Sequence, residues 1–244
     1  MDIKIFSWNV QGCGHSRFLP AARQFLRDNR PDLIAFVELR ISGSTADSVI
    51  SSLGFLNSHR VEADGFSGGI WLAWSDAISV DIISNHFQFI HCRVTTKVNS
   101  NSFLATIVYA SPNATRRNAL WHHLRDLASV IHSPWILFGD FNATLCDSER
   151  QGCASAKPSK AFQNFIFDSG LRDMGYQGPD YTWCRGSAHV RLDRFLCNTY
   201  WDKTYPIAEV HHLLRMRSDH RPIFLQVGSH VNPRAPRQFR YFTG

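Results

Sequence analysis

No apolar run in this chain is long enough to cross a bilayer, and none of its six cysteines stands in a Cys-x-x-Cys pair. The first absence excludes a transmembrane helix, which needs about 20 consecutive apolar residues. The second argues against a zinc ribbon or a redox motif, so Cys13, Cys92, Cys146, Cys153, Cys184 and Cys197 read as core thiols. The start, Met1-Asp2-Ile3-Lys4, enters a strand-like pattern at once and lacks the basic, apolar and small-residue regions of a signal peptide. An intracellular protein, nuclear or cytoplasmic and without a membrane partner, is the expectation. Short-period repeats and low-complexity linkers are also missing, which excludes a solenoid.

What is present suffices for one large core: 244 residues, 44% of them hydrophobic. A net charge of +6 favours a polyanionic partner, but the tail's Arg234, Arg237 and Arg240 hold half of it with no acid nearby. The body is therefore only mildly basic, which permits nucleic-acid binding without demanding it. We expect one catalytic domain over residues 1–228 and a basic tail over 229–244, flexible or opening a linker.

Short apolar runs dominate the body. Residues 3–10, 33–38, 68–74, 78–83, 87–94, 103–109 and 135–140 read as strands, and 190–196, 208–210 and 222–227 follow. Helical spacing appears at Phe18, Ala22, Phe25 and Leu26. It recurs at Leu120, Leu124, Leu127 and Ile131, and at Phe162, Phe165 and Ile166. Tyr181-Thr182-Trp183 and the run from Val190 flank a Gly186-Ser187 turn, which predicts a hairpin. Many strands with few helices point to two packed sheets with helices outside.

Polar motifs close these runs. They are Trp8-Asn9, Glu38, Tyr109-Ala110-Ser111-Pro112-Asn113, Gly139-Asp140-Phe141-Asn142, Leu192-Asp193 and Ser218-Asp219-His220. Hydrolysis of a phosphodiester needs charge neutralisation, an activated water and a stabilised leaving oxygen. Glu38, an acid closing an apolar strand, is the first choice as ligand of a hard cation, and Asn9 could orient it. Asp140 emerges from a buried strand and can deprotonate water, while Asn142, in an extended segment, would point the same way toward phosphate. The alternative for either residue is an Asx-turn. His220 can act as a charged donor fixed by a buried carboxylate, for which Asp193 is suited. The competing assignment pairs Asp193 with Arg191 or Arg194. Tyr109 and Asn113 could donate to phosphate oxygens, although Tyr109 also suits a half-buried aromatic. His122-His123 and His211-His212 read as surface pairs, since no spacing completes a zinc site.

In this order the motifs resemble the endonuclease/exonuclease/phosphatase superfamily, the DNase I-like group, over residues 3 to about 228. Ser67-Gly68-Gly69-Ile70-Trp71, Tyr181-Thr182-Trp183, Arg191-Leu192-Asp193-Arg194-Phe195 and Ser218-Asp219-His220-Arg221-Pro222 look most like the endonuclease domain of plant LINE-type (non-LTR) retrotransposons. The resemblance implies a four-layer α/β sandwich, two mainly antiparallel sheets flanked by helices. It implies Mg²⁺-dependent nicking of DNA to a 3′-hydroxyl, with Mn²⁺ able to substitute. In such polyproteins a reverse transcriptase region follows. Glu38 would be the main metal ligand with Asn9 and Asp219 near it, and Asp140 would activate water. Asn142 and Tyr109 would bind phosphate, and His220 held by Asp193 would stabilise the transition state. Asn113, Thr182, Arg185 and Ser218 would complete the DNA contacts. Leu39 stands where the family commonly has Thr; Gln11 and Val190 stand where abasic-site enzymes often have Asp and Trp. The retained catalytic set implies an active enzyme. The alternatives are a phosphatase or phosphodiesterase of other esters and an inactive nucleic-acid-binding remnant. The short Arg185-Gly186-Ser187-Ala188 loop predicts loose sequence preference.

Overall fold

The computed structural model describes residues 3–14, 18–64, 67–152 and 157–228. The chain runs through β1 (Ile3–Asn9), α1 (Phe18–Asn29), β2 (Leu33–Val37), α2 (Gly43–Ser52), β3 (Asn57–Asp64) and β4 (Ser67–Trp74). It continues with β5 (Ile78–His86), β6 (Phe89–Thr96), β7 (Ser102–Tyr109), α3 (Ala114–Val130) and β8 (Trp135–Asp140). A 3-10 turn at Asp147–Glu149 leads to β9 (Arg150–Gln151), α4 (Lys160–Asp168) and β10 (Leu171–Asp173). The last part holds β11 (Trp183–Arg185), β12 (Ala188–Val190), β13 (Asp193–Asn198), α5 (Thr199–Thr204), β14 (Ala208–His212) and β15 (Ile223–Val227).

Two six-stranded sheets form, ordered β14-β15-β1-β2-β4-β3 and β10-β13-β8-β7-β6-β5. Pairing is antiparallel except for β1 with β2 and β7 with β8, so each sheet is mixed but mainly antiparallel. The layering follows from side-chain alternation. Ile3 and Ile5 of β1, Leu33, Ala35 and Val37 of β2, and Ile136 and Phe138 of β8 fill the core between the sheets. Their neighbours Phe6, Trp8, Ile34 and Phe36 face α1 through Phe18, Ala22 and Phe25. On the other side Trp135 and Leu137 meet Leu120, Trp121, Leu124, Phe162 and Phe165 from α3 and α4. Strands buried on both faces carry unbroken apolar runs, and each fully buried large side chain stabilises by about 1.5–3 kcal/mol. The four-layer α/β sandwich is the architecture expected.

Several local readings change. α2 and β3 were not expected: GSTADSVISS buries only Ala46, and NSHRVEAD is an edge strand too polar to show alternation. The run from Val190 is not one strand. It breaks at Arg191-Leu192, where Arg191 N donates to Glu149 O, so β12 joins a small sheet with β11 and β9 while β13 joins the large one. The predicted 183–190 hairpin itself forms. α3 buries Trp121 beside Leu120 and Leu124, and the strand expected from Phe87 starts at Phe89. His212 is no surface residue: alternation in β14 turns it inward, and its Nδ1 lies 2.7 Å from Pro179 O. Cys153 and the tail 229–244 lie outside the described residues.

Candidate active site

Topology delivers the polar motifs to one edge. β1 and β2 are parallel and end at Asn9 and Val37; β7 and β8 are parallel and end in register at Tyr109 and Asp140. β13 runs antiparallel to β8, so its first residue, Asp193, stands opposite Asp140. β15 runs antiparallel to β1, with Ser7 opposite Ile223, which brings the preceding Ser218-Asp219-His220 to Asn9.

Glu38 was expected as the last strand residue, but it leaves the strand with φ 58°. Its N–H donates to Gly69 O at 3.0 Å and its carbonyl accepts from Gly12 N at 2.7 Å. Gln11, Arg40 and Asn142 also have positive φ, an uncommon state for residues with a Cβ that tends to gather at functional sites. Asn142 therefore is not extended. Its N–H donates to Asp140 Oδ1 at 2.8 Å, the Asx-turn alternative, and its Nδ2 donates to Ala110 O at 2.9 Å and Asp140 Oδ2 at 3.1 Å.

Asn9 bridges the two acids: Nδ2 donates to Glu38 Oε2 at 2.9 Å and to Asp140 Oδ2 at 2.8 Å. Its Oδ1 is turned to Gln11 N at 3.0 Å, so here it positions the carboxylates rather than offering an oxygen between them. Asp140 is fully buried. Burial, then the Asp193 charge, push its carboxyl up to about 7, against the pull of His220 and of hydrogen bonds from Asn142 and Asn9. His220 Nδ1 donates to Asp193 Oδ2 at 2.8 Å, and its Nε2 lies 3.9 Å from both Asp140 Oδ2 and Asp219 Oδ1. Burial alone would lower the imidazole; the charge and hydrogen bond of Asp193, then Asp140 and Asp219, raise it to about 9. These acids favour the charged form of the imidazole. The Tyr109 phenol is buried, and burial followed by the Glu38 and Asp140 charges pushes it above its ordinary range.

Asp193 is free for His220 because Arg191 and Arg194 are engaged elsewhere. Buried Arg194 donates to both Glu149 oxygens at 2.9 and 3.0 Å and to Asp173 Oδ2 at 2.8 Å. Arg191 donates to Glu149 Oε1 at 3.0 Å and Asp173 Oδ1 at 2.7 Å.

Glu38, Asp140 and His220 each offer an atom within 4.8 Å of the others. Beside them Asp219 Oδ1 is buried without a partner, while Asp219 Oδ2 accepts from Gln11 Nε2 at 2.7 Å and Trp183 Nε1 at 2.8 Å. Two converging carboxylates, Glu38 and Asp140, with the orphaned Asp219 oxygen on the far side of His220 Nε2, fit a hard divalent cation. Arg40 pairs with Glu38. A cleft of about 460 Å³ opens over Glu38, Asp140, Asn142 and His220, with Arg40, Arg150 and Arg185 around it and Trp183 in its wall.

Two of the expected DNA contacts are placed otherwise. Thr182 is fully buried, and its Oγ1 accepts from Leu192 N at 2.9 Å and Asp193 N at 3.0 Å; it sets the start of β13 and cannot reach a DNA backbone. The Ser218 hydroxyl donates to Asn9 O at 2.8 Å and accepts from His220 N at 3.1 Å, tying its loop to β1. Asn113 is exposed and caps α3 by accepting from Arg116 N at 3.1 Å. Arg185 lines the cleft, its guanidinium largely exposed 3.8 Å from Asp219 Oδ2. Arg40, Arg150, the Gln11–Asp219 bond and Glu149 were not anticipated. Arg40 could have been found as a cation two residues past Glu38; the others need the fold.

The model of the Endonuclease/Exonuclease/phosphatase family matches residues 6–220. The chain belongs to this family. No curated protein matches it by sequence. Among solved structures of the same fold, an AP endonuclease from Leishmania major superposes with a TM-score of 0.76 at 14% identity, covering 93% of this chain and 87% of that one. The endonuclease domain of TRAS1, a telomere-specific non-LTR retrotransposon, gives 0.68 at 12%, covering 93% and 98%. A 3′-5′ exonuclease from Neisseria meningitidis gives 0.66 at 19%, covering 92% and 99%. Family members hydrolyse phosphate-ester bonds, and the cleft described here is where this family member carries its acids and its cationic histidine. No helix among the described residues is long and apolar enough to cross a membrane.

Proposed function

We propose that this family member is a divalent-metal-dependent endonuclease that nicks DNA and leaves a 3′-hydroxyl, in the manner of a plant LINE-type retrotransposon enzyme. The carrying observation is that Glu38, Asp140 and His220 meet in one cleft edged by three arginines. That rim suits a chain of phosphates better than a single monoester.

Mg²⁺, or Mn²⁺ in its place, would be held by Glu38 with Asp219 and Asn9 close by, and would supply charge neutralisation on the phosphate. Asp140 takes the proton of the attacking water as the P–O3′ bond breaks, and the departing 3′ oxygen takes its proton from solvent; a carboxyl near 7 suits a base working near neutrality. His220 donates its Nε2–H to a non-bridging oxygen, held in orientation by Asp193. Tyr109 donates its phenol to the same phosphate. Asn142 does so by exchanging its 3.1 Å bond to Asp140 for a phosphate oxygen. Arg185 steadies the flanking backbone, and in a longer polyprotein a reverse transcriptase would use the 3′-hydroxyl.

Supercoiled plasmid tests this reading. Wild type with Mg²⁺ relaxes it, while Glu38→Ala and His220→Ala each nick at least about 100-fold more slowly and a chelator stops the reaction. Unrelaxed plasmid together with phosphate release from a monoester would contradict it and assign phosphatase activity instead.

A further inference from the structure

Phe87 stands at the tip of the β5–β6 hairpin with 54% of its surface exposed, although the tip around it is fixed. Gln88 beside it is buried: Nε2 donates to Arg116 O at 3.0 Å and Oε1 accepts from Ser111 N at 2.6 Å. The Gln88 carbonyl accepts from Tyr109 N at 2.9 Å, so the hairpin is pinned to the end of β7 and the start of α3. On the other flank the Phe87 ring lies 4.3 Å from His86, which stacks on Phe89 at 5.0 Å. A lone exposed apolar residue is ordinary. Phe87 differs in being held from both sides at the lip of a hollow of about 100 Å³. Tyr109, Pro112, Gly68 and Arg116 line that hollow, and Pro112 also lines the main cleft. Arg116 forms no ion pair among the described residues, and the acid on the rim, Glu62, is paired with Arg60 at 2.7 Å.

We propose that this hollow is a nucleobase subsite: the base of the nucleotide adjoining the scissile phosphate lays its face on Phe87, and Arg116 meets that nucleotide's phosphate. The inference rests on the DNA-nicking reading above. An exposed aromatic face beside a free guanidinium matches the two parts of a nucleotide, a π-surface and an anion. Stacking accepts any base, which agrees with the loose sequence preference expected from the short Arg185 loop. A base within a duplex is already stacked, so the subsite takes a base that has left the helix. Unpaired or mismatched positions beside the cut are therefore favoured.

The test uses the full chain in chelator with duplex DNA carrying 2-aminopurine at a mismatch, moved stepwise across both sides of the cutting position. Wild type and Phe87→Trp quench the probe at one flanking position. Phe87→Ala and Phe87→Leu lose the quench and bind the mismatched duplex about 5- to 100-fold more weakly. Wild-type affinity and quenching in Phe87→Ala, from a protein that nicks plasmid with Mg²⁺, would overturn the subsite alone. Wild-type behaviour in Phe87→Leu would also overturn it, because Leu keeps apolar area but no π-face. A wild-type protein that neither binds nor nicks DNA would remove the subsite and the nuclease reading together.

Discussion

Asp193 and Thr182 illustrate how the site depends on single atoms. Asp193→Asn removes the charge that holds His220 as a cation, so the nicking rate at neutral pH falls about 100-fold or more while DNA affinity stays within about twofold. In wild type His220 has its proton below about 9. Its stabilising contribution is full below the ordinary histidine value near 6.5 and is lost as pH rises through 9. In Asp193→Asn the loss of stability between pH 7 and 9.5, read from denaturant midpoints, becomes shallower; an unchanged slope would contradict the pairing. Thr182→Val takes the side-chain acceptor from the buried Asp193 N–H and the part-buried Leu192 N–H and costs about 1–3 kcal/mol. Its nicking falls too, because Asp193 moves. At this scale the acids and His220 were legible, since polar residues at the ends of apolar runs have few other uses. The positive φ of Glu38 and Arg40 was not, because nothing in the local residues announces a left-handed turn that Gly68 and Gly69 create from a neighbouring strand.

Elements place these atoms through backbone contacts that leave little room. Gly139 in β8 has φ +127°, and a Cβ there would stand 2.1 Å from Val108 O of β7. Gly139→Ala therefore forces β7 and β8 apart directly before Asp140. A cost of about 3 kcal/mol or more lowers the thermal midpoint by about 6–12 °C and abolishes nicking. Stability equal to wild type would mean that the strands give way easily. The buried Glu149–Arg191–Arg194–Asp173 network fixes β9, β10 and β13 relative to one another, and Glu149→Gln, which leaves two guanidiniums underpaired, costs about 3–5 kcal/mol. Long apolar strands and amphipathic helices were readable from periodicity. The β12–β13 break was not, because Val190-to-Leu196 has a single strand's pattern and only Thr182 and Glu149, distant in sequence, interrupt it. α2 and β3 escaped notice because α2 fully buries only Ala46 and β3 is a polar edge strand.

For the whole molecule, two core histidines set its response to acid. His91 and His212 are almost fully buried, and burial lowers each to about 4. Both are neutral in the fold, so the unfolded chain takes up their protons first, and stability is lost as pH falls from about 6.5 toward 4. Each contributes about 2 kcal/mol of loss by pH 5. Asp140 works in the opposite sense, since its raised carboxyl gains a proton in the fold first. The decisive comparison is His91→Gln against wild type: the variant's denaturant midpoint changes less between pH 7 and pH 5, and an equal change would contradict the account. The sandwich itself was legible from strand number and from runs buried on both faces.

On the proposed function, the edge shared by β1, β2, β7, β8 and β13 cuts a DNA strand and leaves a hydroxyl on the 3′ side. Analysis of the nicked ends tests it most directly. Supercoiled plasmid is treated with the protein and Mg²⁺, then offered to a DNA polymerase with a labelled nucleotide, with and without prior phosphatase treatment. Immediate incorporation at the nicks, equal in both samples and absent with Glu38→Ala, is the predicted result. Nicks that accept label only after phosphatase treatment, or no nicks at all, would contradict the account.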